Sequence, residues 1–154
     1  MIDVVLFTHP TCGVLATLAA LWVFVEALNA SDTNQARSRV AAKAVAVLMV
    51  MAWGLGGYWY LRWFPADKAL ILAGPWPFAH NIFMETKENL FFVPLILALY
   101  LPIVVSTNLA TSPGARRMAL VVAGFIVLNG LAIEGAGAVI NHGAKLALMQ
   151  ARAH

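Results

Sequence analysis

Four long apolar runs constrain this chain more than any motif in it. They cover residues 4–28, 40–64, 80–106 and 114–141 of 154. A helix crosses a bilayer with about 20 mainly apolar residues. Inside lipid every backbone N–H and C=O must be satisfied within the element, which forces helices. Composition agrees: 62% of the residues are hydrophobic and 11% charged, whereas soluble domains carry about 25% charged residues. The expected fold is all-α: one four-span integral membrane bundle, residues 1–154, running up-down-up-down.

The connections carry their own punctuation. Asn29–Asn34 reads as a polar turn, with Ser31 or Asp32 available to cap the second helix. Pro65 stops that helix, and residues 65–77, with Pro65, Gly74, Pro75, Trp76 and Pro77, read as a Pro/Trp-rich surface loop. Pro77 suits the first turn of the third helix. Pro94 and Pro102 should bend it without breaking it. Ser112-Pro113 starts the fourth helix, and the tail from Ala144 continues it at the membrane surface.

Charge and cysteine content exclude several classes. The net charge of +3 is scattered, unlike the basic patch of a nucleic-acid surface. Cys12 is the only cysteine, so neither an intrachain disulfide nor a CxxC motif can form. The N-terminus lacks a basic n-region and a small-residue cleavage site, and reads as a retained first span. Arg37, Arg39 and Lys43 beside one loop, with Arg116 and Arg117 in another, place those loops inside. Both termini then lie on the outer, periplasmic side of a bacterial cytoplasmic membrane.

Topology gathers the ionisable residues. With four alternating spans, the start of helix one, the entry to helix three and the end of helix four share one membrane face. That face receives His9, then His80, Glu85 and Glu88 from the mixed stretch 74–92, then His142. Glu134 lies about 12 Å deeper than His142 on the same helix. Intramembrane ionisable groups usually face a bundle interior or a wet cavity. Gly130, Glu134, Gly137 and Asn141 form one helical stripe and should point inward. His80, Met84, Lys87 and Phe91 form another, beside Asn81, Glu85 and Glu88. Each feature also has an ordinary explanation: interfacial histidines, a solvated first turn, a protonated glutamate, glycines for close packing. On the other face, Glu26 should pair with Lys43.

Three functions fit this distribution. The first is a membrane electron-transfer protein or subunit binding a b-type haem, a quinone, or both. His9, His80 and His142 would supply cofactor ligands, and Glu88, Glu134 or Lys87 would handle protons. In architecture alone the chain resembles small four-helix membrane cytochromes. The second is an Fe or Cu site built from His9, His80 and His142 with carboxylates. The third is a non-catalytic accessory subunit of a larger membrane complex. The expected surroundings are the lipid bilayer and other membrane subunits or a second copy of the chain.

Overall fold

The computed structural model describes residues 2–153, with side chains from Val4 onward. His154 lies outside the described residues. The helices are α1 (Ile2–Leu28), α2 (Gln35–Arg62), α3 (Phe64–Ala73), α4 (Glu85–Leu90), α5 (Phe92–Ser106) and α6 (Pro113–Ala153). A π-helical turn, Ala79–Met84, leads directly into α4. This turn, α4 and α5 form one third span, Ala79–Ser106. With α1, α2 and α6 it makes four helical segments long and apolar enough to cross a membrane.

The four spans close into a ring. α1 packs against α2 and α6, and α5 packs against the same two. Neither diagonal pair is in contact among the described residues. Alanine sets the spacing: Ala16, Ala20 and Ala27 on α1, Ala41 and Ala42 on α2, Ala98 on α5, and Ala119 and Ala123 on α6 are all buried. Such small side chains let helices approach closely where lipid offers no hydrophobic drive. Val45, Leu101, Val105 and Ile126 fill what remains. Large apolar side chains such as Val121, Leu128, Ile96 and Ile103 point outward, as a lipid-facing surface requires.

Polar bonds tie the end where the α1–α2 and α5–α6 connections meet. Buried Gln35 donates from Nε2 to Val105 O (2.8 Å) and Thr107 O (3.0 Å), and its Oε1 accepts from Leu109 N (3.0 Å). Arg116 donates to Ala27 O and Leu28 O, the orphan carbonyls at the end of α1. Glu26 accepts from Trp22 Nε1 (2.9 Å) and pairs with Arg37 (3.1 Å). Lys43 is therefore not its partner. In the antiparallel α1–α2 register, Arg37 stands level with Glu26, and Lys43 lies more than a turn farther along and is exposed.

The opposite end differs from the sequence reading between the second and third spans. The 65–77 stretch is not all loop, because Phe64–Ala73 forms α3 with Pro65 in its first turn. Proline lacks the N–H that α2 would need, but suits a helix start. α1 begins at Ile2 and carries Pro10 within it. α6 runs on to Ala153, so the tail from Ala144 does continue the fourth helix. Gly143 there is a contact rather than a stop. A Cβ on it would stand 2.8 Å from Ala79 Cβ.

The extended half of α6 supports a second, smaller core. Phe64, Ile71, Ala79, Met84 and Ile140 are buried together, flanked by Trp59, Tyr60 and Trp76. The third span is interrupted at Phe91, between α4 and α5, without leaving the helical path: Phe91 keeps helical dihedrals, and Leu95 N donates to Phe91 O (3.2 Å). Pro94 cannot donate to Leu90 O, so the helical ladder is interrupted there.

Candidate functional site

Between the alanine-packed core and the second core, a cap formed by α3, the π-turn and the outer half of α6, lies a cavity of about 680 Å³. Its cause is visible in the helix contacts. The backbone of α2 packs on α5 but comes close to neither α4 nor the π-turn, which lean instead on α6 and α3; only side chains of α2, Tyr60 toward Glu88 among them, reach across. The backbone of the third span thus leaves α2 above Phe91. The space is walled by α1 (Leu6, His9, Pro10), by α2 from Ala52 to Tyr60, by α4 with Phe91, and by α6 from Glu134 to Ala144.

Three of the ionisable side chains that line this space each rest on a glycine of another helix. The His9 ring lies against Gly56, where a Cβ would stand 2.5 Å from Cε1. Glu134 Oε1 lies against Gly13, 2.6 Å from where a Cβ would be. Lys87 Nζ lies over Gly137, 3.2 Å from the equivalent point. One turn from Glu134, Thr17 packs on Gly130. The expected stripe of Gly130, Glu134, Gly137 and Asn141 does face inward, since all but Gly130 line the cavity.

His9 has a defined role in hydrogen bonding. Its Nδ1 is 2.8 Å from Ala52 O. A carbonyl only accepts, so Nδ1 carries the proton and Nε2 is a bare acceptor. Nε2 makes no hydrogen bond among the described residues. Lys87 presents up to three donors to the same cavity. Lys87 and Glu134 face the same space without closing into a direct ion pair. Glu88 and Tyr60 share a wall with them, and Asp67 of α3 stands at the mouth. Burial holds the Asp67 carboxyl above its ordinary value.

His9, Glu88 and Glu134 therefore line one cavity, whereas His80 and His142 do not. His80 is buried, stacked on Phe64 (centroids 5.8 Å, 12°). Its nearest charged neighbour is Glu85, at 4.0 Å. The π-turn explains the departure. Its wider winding takes His80 out of line with Met84, Lys87 and Phe91, which keep the stripe and line the cavity. His142 is exposed and packs against Trp76 (4.9 Å, 60°). Both histidines occupy the expected end of the bundle, but the three do not form one ligand set.

No three His, Cys, Asp or Glu side chains come together as a metal-binding group among the described residues. Lys87, Gly13, Gly56 and Asp67 matter more than their sequence context suggests. The signal for Lys87 was its place in the Met84–Lys87–Phe91 stripe. In comparisons with protein-family models, curated proteins and solved structures, nothing matches this chain.

Proposed function

We propose that the protein is a membrane electron-transfer component that binds a quinone and its quinol in the cavity. The observation that carries this reading is the pairing of a fixed acceptor with a cationic donor in one apolar chamber. His9 Nε2 is held as an acceptor by the bond from Nδ1 to Ala52 O. Lys87 supplies donors from the opposite wall. A quinone is a ligand whose ring oxygens change from acceptors to donors on reduction. The oxidised ring accepts from Lys87. The reduced ring donates its two hydroxyls to His9 Nε2 and to the Glu134 carboxylate.

Oxidation of the quinol then releases two protons, one to each of these acceptors, and two electrons to a redox protein partner. Glu88, beside Tyr60 on the cap side, is placed to pass protons toward Asp67 at the mouth. Trp53, Trp59 and Phe91 supply the flat apolar surface on which a ring packs.

Purification from membranes followed by solvent extraction tests this. The expected result is near-stoichiometric quinone that is lost in Lys87→Met and His9→Phe. A Soret band with sharp reduced α and β bands would replace this reading with haem ligation. A folded preparation containing neither quinone nor haem would contradict it and favour the accessory-subunit role.

A further inference from the structure

Resting on the quinone reading, we infer that the ligand carries a long isoprenoid tail, which leaves the cavity between α2 and the third span. The gap is built by the fold. The α2 backbone lies close to α5 but not to α4 or the π-turn, so the two backbones part on the cap side of Phe91, with the Tyr60 side chain reaching across to Glu88 above the gap. The side of α2 that faces the third span is fixed by Gln35, which bonds to Val105 and Thr107. Trp53 follows Gln35 by 18 positions, a whole number of turns at about 3.6 residues each. Trp53 therefore lies on that same side, with Gly57 one turn beyond it.

Both residues line the cavity, and both are exposed outward. Phe92, which also lines the cavity, is 53% exposed, and Trp53 is 48% exposed. A Cβ on Gly57 would meet nothing within 4 Å. These three residues frame an opening that joins the polar chamber to the lipid-facing surface. It lies at membrane depth, since Trp53 is nine residues before Arg62, about 14 Å along α2. An apolar tail leaving here enters hydrocarbon directly. On the other side of the chamber, α1 and α6 pack on each other through Gly13–Glu134 and Thr17–Gly130, which closes that side at the level of Glu134 and below it.

The test compares a tail-less quinone with a decaprenyl quinone on the full chain in lipid nanodiscs. Gly57→Leu places bulk in the opening, where its Cβ meets nothing within 4 Å. It should leave affinity for the tail-less quinone within twofold and weaken the decaprenyl quinone at least tenfold. Gly54→Leu, also in open space but off the cavity wall, should change neither. Ala138→Leu, at the α1–α6 side, should affect both quinones equally. Equal losses for the two quinones in Gly57→Leu, or a tail-specific loss in Ala138→Leu, would overturn the portal while leaving the head-group site intact. Failure of the unaltered protein to bind either quinone would instead refute the reading beneath it.

Discussion

The two ends of the bundle are made of the same four spans, yet they are packed on opposite terms. At the loop end, facing positions are alanines, and the polar groups are satisfied by one another. Gln35 alone serves three backbone partners in two other segments. At the cavity end, facing positions are glycines, and the side chains resting on them are ionisable. His9 on Gly56, Glu134 on Gly13 and Lys87 over Gly137 leave hydrogen-bonding capacity unspent. A membrane bundle can be closed by small residues alone. It becomes a chamber when the small residue lacks even a Cβ and its neighbour carries a reactive group.

The largest effect should come from breaking the closed end. Gln35→Ala removes a donor from two carbonyls and an acceptor from one N–H in a buried site. At about 1–3 kcal/mol per orphaned group, we expect a loss of roughly 3 kcal/mol. The check is the thermal midpoint in detergent, with quinone affinity unchanged in the folded fraction.

Next comes the seat of Glu134. Gly13→Ala forces the carboxylate away, and overpacking of this kind costs about 1–3 kcal/mol. Quinone affinity should fall about tenfold in a fluorescence titration, equivalent to about 1.4 kcal/mol. Gly135→Ala meets nothing within 4 Å. It should instead stabilise the helix by up to about 1 kcal/mol. If both alanines behaved alike, the glycine seats would have no special role.

A smaller change is expected for Glu26→Gln. Its partner Arg37 has a side chain 61% exposed, and pairs open to solvent contribute about 1 kcal/mol or less. A double-mutant cycle with Arg37→Met measures this coupling. The corresponding cycle with Lys43 should give none.

The smallest effect is a pH dependence at the cavity mouth. Burial raises the Asp67 carboxyl above its ordinary 3.8, so the folded protein holds that proton more tightly than the unfolded chain. The stability this brings is complete below 3.8 and is lost as pH rises through the raised value. Asp67→Asn should remove that decline. Thermal midpoints from pH 3.5 upward would show it, and a wild type that gained stability relative to Asp67→Asn over this window would reverse the sign.

The spans were legible because bilayer thickness imposes a run of apolar residues that no soluble helix needs. Helix α3 was not, because Pro65, Gly74, Pro75 and Pro77 resemble loop punctuation, and only the cap packing of Phe64 and Ile71 shows otherwise. The continuation of α6 was legible, but what Gly143 does there was not: it lies against Ala79 and Trp76, which the sequence does not place. In the site, Glu134 and Glu88 could be read from burial logic, and His9 from topology. His80 could not be separated from them, since nothing in Ala79–Met84 announces a π-turn. The glycine seats depend on helix register, which is a property of pairs of segments and is not written in either one.

The most direct test follows the quenching of Trp53 and Trp59 fluorescence, both in the cavity wall, as a decaprenyl quinone is titrated into nanodiscs. The unaltered protein and folded Gln35→Ala should give the same saturable curve. His9→Phe and Lys87→Met should each weaken binding at least tenfold. Equal binding by all four proteins would contradict the assignment of the cavity as a quinone site.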